Sequence, residues 1–237
     1  LLQRQVEGAG VKVMVGEKVT GVKGRKKVTG ITTGNAELAC DLVVWATGVR
    51  PNTALAKQAG IEIGQLGGIK VNDKMETSIE HVYACGDCVQ VWDQTFGKPC
   101  LSLLWASAKE QAAVAAANCL GEPRSYPGAL SVVIEEIAGL TAVSVGATED
   151  ALRNAFACED FTVQEQETQA GYLKVIADSQ RILGAQFVGN YQGAGAVAAW
   201  MRQGISPEEI KGVLANREQL KWAPWYAHGA SVAQLLA

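Results

Sequence analysis

The residues with the clearest capacity to hold a ligand are Gly86 and Asp87. They follow the run His81–Ala84, which we expect to be a strand, and we expect a helix after them. A strand that ends in this way places backbone N–H groups and a carboxylate at the carboxyl edge of a sheet, where nucleotides bind. Gly86 would let the backbone approach a ligand closely. The alternative is that Asp87 does no more than cap the following helix.

Four further candidates for cofactor binding follow an earlier apolar run. Asp41–Ala46 is almost wholly apolar, which is typical of a strand covered on both faces. The candidates come directly after it: Thr47, Gly48, Arg50 and Pro51. Because proline is favoured in the first turn of a helix, Pro51 predicts a short helix that runs through Ala59 and is closed by Gly60.

Cys85 and Cys88 have the Cys-x-x-Cys spacing of redox and metal sites. A helix start at this point would lower the pKa of the first thiol. The pair straddles Gly86 and Asp87, however, and the sequence has no second Cys or Cys/His pair at metal-site spacing. We therefore favour neither dithiol chemistry nor a metal here. The six cysteines do not form the dense framework of a small secreted domain, which indicates a reducing, cytoplasmic setting.

The segment Gly193–Ala198 fits the pattern G-x-G-x-x-A of dinucleotide-binding turns. A dinucleotide site also needs a second parallel strand after the helix, with an acidic residue at its end. Here the helix reaches Gly204 and then a capping box, in which Ser206 and Glu209 begin another helix. We interpret the small residues as a means for the helix to pack closely on a sheet.

Composition and charge argue against nucleic-acid and membrane proteins. Of the 237 residues, 48% are hydrophobic and 19% charged, and the formal net charge is -3, which is ordinary for a globular protein with a sizeable core. The basic stretch Lys23–Lys27 reads as a hairpin tip and not as a phosphate-binding patch. The longest apolar run, Leu101–Leu120, is interrupted by Lys109 and Glu110, so we expect no membrane span.

Turn residues divide the chain into three predicted domains of combined α/β and α+β class. Residues 1–40 predict an antiparallel β-meander that begins with a strand at Val11–Val15. Residues 41–122 predict a segment that ends in a long helix from Leu104 to Leu120, with Gly121 after it. Residues 123–237 predict an α+β module on an antiparallel sheet. Its strands are expected at 131–137, 140–145, 161–167, 172–177 and 181–188, and its helices near 148–156, 195–203 and 207–215.

Two segments together resemble one protein family. Ala46–Asn52 reads ATGVRPN, and further along Thr77 leads to Tyr83–Asp87, which reads YACGD. The ordered pair resembles the FAD-dependent pyridine nucleotide-disulphide oxidoreductase family. The resemblance implies a flavoprotein with two dinucleotide-binding domains and a carboxyl-terminal interface domain. Residues 1–40 would end the NAD(P)H-binding domain, 41–122 would be the second segment of the FAD-binding domain, and 123–237 would be the interface domain.

The resemblance also implies the cofactors, with FAD bound and NAD(P)H as the substrate. Asp87 would accept hydrogen bonds from the ribitol hydroxyls. The helix that opens with Leu104, Trp105 and Ala106 would face the pyrimidine edge of the flavin, where its dipole stabilises negative charge. For Trp105 the alternative is packing in the core. The histidine–proline pair that one branch of the family uses is not matched, because Gly229 follows His228.

The family's first G-x-G-x-x-G unit would precede Leu1. We therefore expect this chain to be a truncated portion, inactive alone, of an FAD-dependent NAD(P)H oxidoreductase that passes a hydride from nicotinamide to flavin and electrons onward. The acceptor is left open among oxygen, a coenzyme A or other disulphide, rubredoxin and a further redox subunit. Two alternatives are a non-catalytic dimerisation and binding module, and a Cys-x-x-Cys dithiol protein.

We expect a homodimer joined through residues 123–237, because family members usually dimerise through this domain. Aromatic residues also crowd the end of the chain, and such residues are enriched at interface cores. They are Trp200, Trp222, Trp225 and Tyr226. The alternative is that these rings pack within one chain.

Overall fold

The computed structural model describes residues 1–154, 157–168 and 171–210. The chain divides into two compact units, Leu1–Arg50 and Pro51–Ala237. The predicted domain boundaries at 40/41 and 122/123 stay predictions. None of the helices formed by the described residues combines the length and apolarity that a membrane span requires.

The first unit is built on the predicted β-meander. Helix α1 is followed by three antiparallel strands in the order β1-β2-β3. Their bounds are α1 (Leu2–Gly8), β1 (Val19–Lys23), β2 (Gly30–Thr33) and β3 (Glu37–Ala39). Lys23 pairs with Gly30, so the basic residues after Lys23 lie in the connection of a hairpin, as predicted. Gly24 has φ +119°, and a Cβ atom there would lie 1.9 Å from the carbonyl oxygen of Lys27, so this turn requires glycine.

Two predicted strands of this unit are absent from the structure. Val11–Val15 is not a strand, and neither is Asp41–Ala46. The side chains of Leu42, Val44 and Trp45 are 76%, 78% and 59% exposed. A strand is stabilised by hydrogen bonds to a neighbouring strand, and the described residues of this unit place no strand beside either segment.

The first half of the second unit combines short strands with one long helix. β4 and β5 are parallel, and β5 and β6 are antiparallel. The elements are α2 (Ala54–Gln58), β4 (Ile69–Lys70), β5 (Val89–Trp92), β6 (Pro99–Cys100) and α3 (Trp105–Cys119). The prediction of α3 is confirmed, and Gly121 follows it with φ +77°. The short helix begins at Ala54, not at Pro51, and Thr53 occupies its N-cap position.

The second half of this unit is an antiparallel sheet, as predicted. Five strands pair in the order β7-β8-β11-β10-β9, and all four pairings are antiparallel. The strands are β7 (Val132–Ile137), β8 (Leu140–Gly146), β9 (Thr162–Thr168), β10 (Gly171–Ala177) and β11 (Ile182–Gly189), and the helices are α4 (Glu149–Asn154) and α5 (Ala194–Gln203). Because β11 has antiparallel neighbours on both sides, the G-x-G-x-x-A segment that follows it does not begin a parallel βαβ unit.

Helix α5 packs on the sheet through small residues and one large ring. Ala194, Ala196 and Val197 are buried, and Trp200 is 0% exposed within the same apolar core. The prediction that Trp200 contributes to an interface between chains is therefore wrong, because its ring fills the core of its own unit. Trp222, Trp225, Tyr226 and His228 lie outside the described residues.

The predicted capping box is present at the start of the next helix. The backbone N–H of Glu209 donates to the Ser206 hydroxyl at 3.2 Å, and the Ser206 N–H donates to a Glu209 carboxylate oxygen at 2.8 Å. This reciprocal pair satisfies two backbone donors that a helix start otherwise leaves unpaired.

Candidate functional site

Gly86 and Asp87 lie in a tight turn that leads directly into strand β5. Gly86 has φ +86°, and its carbonyl oxygen accepts the N–H of Val89 at 3.1 Å. The side chain of Asp87 is exposed. Since β5 follows the turn, and not a helix, the expected helix start is wrong here. The alternative role of Asp87 as a helix N-cap is excluded for the same reason.

The segment before this turn is not the predicted strand His81–Ala84. A single bridge pairs Tyr83 with Glu76. His81 has φ +63°, in the left-handed region, and an L-residue in that region cannot continue an extended strand. The Gly86–Asp87 turn is therefore positioned by its contacts with α3 and β5 and not by a regular strand.

A chain of buried hydrogen bonds joins the turn to α3. The N–H of Gly86 donates to Oε1 of Gln111 at 2.7 Å. Nε2 of Gln111 donates to the Ser107 hydroxyl at 3.0 Å, which pairs with the Tyr126 hydroxyl at 2.8 Å. Gln111, Ser107 and Tyr126 are all buried. The sequence analysis did not single out these three residues, although Ser107 and Gln111 stand one helical turn apart in an alanine-rich helix, where polar residues on one face are a detectable signal.

The amino end of α3 is open to solvent. Its N-cap residue, Leu104, makes no side-chain capping hydrogen bond. Trp105 is 79% exposed, Ala106 is exposed, and the Lys109 ammonium lies 5.3 Å from the centre of the Trp105 ring. The alternative that Trp105 packs in the core is therefore wrong. This end of the helix presents backbone N–H groups and an aromatic face.

The earlier candidates divide between the two units. Thr47, Gly48 and Arg50 are exposed residues of the first unit, and Gly48 has φ +96°. Pro51 is the first residue of the second unit and is partly buried. Their joint role in one cofactor site stays a prediction.

The cysteine pair beside the turn shows no sign of an activated thiol. The Cys88 thiol donates to the Cys85 carbonyl oxygen at 3.4 Å, and burial raises the pKa of Cys88. The helix start expected beside Cys85 is absent, because a strand follows. Within residues 1–154, 157–168 and 171–210, no three His, Cys, Asp or Glu side chains are grouped so as to hold a metal ion.

Comparison with known proteins assigns this architecture to a family. The profile of the family described as "Pyridine nucleotide-disulphide oxidoreductase" matches residues 1–118. A crystal structure of an FAD-dependent pyridine nucleotide-disulphide oxidoreductase from Desulfovibrio vulgaris superposes with a TM-score of 0.83 at 30% identity, over 100% of this chain and 59% of that one. The chain belongs to the pyridine nucleotide-disulphide oxidoreductase family.

Two curated relatives match over most of this chain. An NAD(P)H sulfur oxidoreductase (CoA-dependent) of Pyrococcus furiosus is 33% identical over 73% of this chain and 41% of its own length. An NADH oxidase of Methanocaldococcus jannaschii is 39% identical over 62% of this chain and 33% of its own length. The chain thus spans less than half the length of these two relatives.

Proposed function

We propose that this chain carries part of the FAD site of an NAD(P)H-dependent oxidoreductase. The observation that carries the proposal is the Gly86–Asp87 turn, whose inner side is fixed to α3 by Gln111 while its carboxylate is exposed. A rigid turn with an outward acceptor, beside an uncapped helix end, matches the needs of a ligand that is rich in hydroxyl groups and carries negative charge on reduction.

The residues present fit FAD in three respects. The Asp87 carboxylate is an acceptor for ribityl hydroxyls. The N–H group of Asp87 has no acceptor among the described residues and remains available as a donor. The amino end of α3, from Trp105 to Ser107, supplies further backbone donors and the positive end of a helix dipole.

FAD, when bound, supplies the chemistry, which is acceptance of a hydride from NAD(P)H and delivery of electrons to an acceptor. In our proposal Asp87 fixes the cofactor's position, and α3 stabilises negative charge near its amino end. The acceptor is not assigned. The names of the relatives suggest sulfur compounds and oxygen as candidates. The free cysteines are compatible with a reducing cytoplasmic setting.

A titration with three ligands tests the proposed site on the chain itself. In an amide NMR spectrum of the ¹⁵N-labelled chain, FAD and FMN should shift the signals of Asp87, Cys88 and Trp105–Ser107. ADP should not, because it lacks the ribityl chain and the flavin ring. Equal shifts with ADP would indicate a nucleotide phosphate site in its place. No shift with any ligand at millimolar concentration would refute the proposal.

We further propose that the chain forms a homodimer through residues 123–237. Trp200 is buried in its own unit and gives this proposal no support. Among the described residues, the support is the free edge of β7, the outermost strand of the sheet, where Ile134 is 62% exposed. An exposed sheet edge with an apolar side chain favours pairing with another chain. A non-catalytic dimerisation module would have the same surface, so the flavin titration distinguishes the two functions.

A further inference from the structure

Gln111 is a buried polar side chain in the middle of α3 whose hydrogen bonds determine what can surround it. It is 0% exposed. A buried amide without hydrogen-bond partners destabilises a protein, so a glutamine at position 111 needs its two hydrogen bonds, to Gly86 and to Ser107. Leucine has a similar size and would avoid this requirement. The presence of glutamine at this position therefore calls for a reason beyond packing.

The direction of the hydrogen bonds is fixed by chemistry. The N–H of Gly86 can only donate, so the glutamine must present its oxygen to the turn and its NH₂ group to the Ser107 hydroxyl. The Tyr126 hydroxyl completes the chain from the other side of Ser107. Tyr126 thus orients Ser107, Ser107 orients the amide of Gln111, and Gln111 holds the backbone of Gly86.

The hydrogen bond from the Gly86 N–H to Gln111, which we call the clamp, also determines which groups of the turn face outward. The Gly86 N–H is occupied by Gln111, and the Gly86 carbonyl oxygen is occupied by Val89. With both backbone groups of Gly86 engaged inside the protein, the turn projects Asp87 outward, and the amide of Asp87 has no acceptor among the described residues. A ligand at this turn would contact Asp87 and not the Gly86 amide.

We infer that Gln111 is a positioning residue for the flavin site: it holds the Gly86–Asp87 turn so that the Asp87 carboxylate is directed at the ligand. The inference rests on the proposed function, and it makes a claim that the proposed function does not. Gln111 touches no ligand itself. It acts through Gly86, and Ser107 and Tyr126 fix the orientation of its amide.

Two variants of Gln111 and one matched control separate positioning from general stability. Gln111→Leu removes the acceptor for Gly86. Gln111→Glu keeps an acceptor oxygen, and the Ser107 hydroxyl can rotate to donate to it. Asn118→Leu is the control, because Asn118 is an amide of the same helix that bonds to the carbonyl oxygens of Lys74 and Arg124 and not to the turn.

The first measurement needs no cofactor. In hydrogen exchange followed by NMR, the Gly86 amide of the chain should exchange at least about tenfold faster in Gln111→Leu than in the wild type. Gln111→Glu should restore most of the protection, and Asn118→Leu should leave it unchanged. If Gly86 exchanges equally fast in Gln111→Leu and Asn118→Leu, or if its protection survives both changes, the clamp has no such role and the inference is wrong.

The second measurement is an NMR titration with FAD, in which the apparent Kd is obtained from the Asp87 amide shift. The Kd should rise by about tenfold in Gln111→Leu, the effect of one lost hydrogen bond, and should stay unchanged in Asn118→Leu. Loss of Gly86 protection with an unchanged Kd would overturn the positioning role and leave the proposed FAD site standing. The absence of any Asp87 shift in the wild type would overturn the FAD site, and the inference with it.

Discussion

Replacement of Asp87 by alanine should weaken flavin binding and leave the stability of the chain almost unchanged. The carboxylate is exposed, and no hydrogen bond or ion pair joins it to another of the described residues. It does not cap a helix, because β5 follows the turn. Exposed substitutions of this kind change the free energy of unfolding by about 0.5 kcal/mol or less. A carboxylate that binds a ligand hydroxyl contributes about 1.5–3 kcal/mol, so the affinity for FAD should fall roughly ten- to a hundredfold.

The two effects are measured on the same protein samples. Urea unfolding followed by circular dichroism gives the stability, and an NMR titration with FAD gives the affinity. Asp87→Asn should fall between the wild type and Asp87→Ala, because its amide oxygen still accepts a hydrogen bond without the charge. Glu122→Ala, which removes an exposed carboxylate beyond the other end of α3, controls for net charge and should change neither quantity.

Three results would refute this reasoning. If Asp87→Ala lowers the free energy of unfolding by about 1.5 kcal/mol or more, Asp87 has a structural role that its exposed position does not reveal. If Asp87→Ala binds FAD as firmly as the wild type does, the turn is not part of a flavin site. Equal weakening by Asp87→Ala and Glu122→Ala would mean that the loss of affinity is not specific to Asp87, because removal of either negative charge would by itself favour the anionic FAD.

Four further outcomes are expected. The chain alone should bind FAD no more tightly than about micromolar, near −8 kcal/mol, since its described residues contain no Gly-rich βαβ unit for the pyrophosphate; a nanomolar Kd by fluorescence titration would contradict this. In a flavin-loaded protein that carries this chain, Cys85→Ser and Cys88→Ser should leave the stopped-flow rate of NAD(P)H-driven flavin reduction essentially intact, whereas a thousandfold loss with unchanged flavin content would identify a redox pair. Hydrogen bonds from Lys174 lower the pKa of Glu149 and of Glu165 below their ordinary 4.5, so both carboxylates contribute stability above that pH, and this stability is lost as the pH falls through the lowered pKa. In Lys174→Met, the free energy of unfolding in urea should therefore fall less steeply with decreasing pH, and an unaltered pH dependence would exclude the contribution. Light scattering after size exclusion should report about twice the 25.0 kDa of one chain, and a monomer at micromolar concentration would refute the dimer.

Local signals predicted several elements of the fold correctly. Helix α3 follows from an alanine-rich run that ends at Gly121, and the start of the last described helix follows from the capping box of Ser206 and Glu209. The strands of the antiparallel sheet follow from alternation bounded by turn residues. In each case the residues that determine the structure are close together in sequence.

One of the wrong predictions concerns a segment whose structure depends on a distant neighbour. Asp41–Ala46 has the composition of a buried strand, but no strand of its unit lies beside it among the described residues. An apolar pattern indicates that a segment is buried in the native protein, but it does not identify the segment or chain that packs against it. The prediction of a strand at His81–Ala84 is wrong for a different reason. His81 has a left-handed backbone conformation, which belongs to a turn that no local sequence signal indicated.

The correction at the Gly86–Asp87 turn strengthens the functional interpretation of Asp87. A helix cap would have explained an aspartate after glycine without any ligand, and the structure removes that explanation because a strand follows. What remains is a turn fixed from inside by the buried Gln111, and an exposed carboxylate that makes no hydrogen bond or ion pair with another of the described residues. Sequence patterns could not show this, since Gly86 and Gln111 stand 25 positions apart. A rigid support for a side chain that has no internal partner is the arrangement expected where the partner is a ligand.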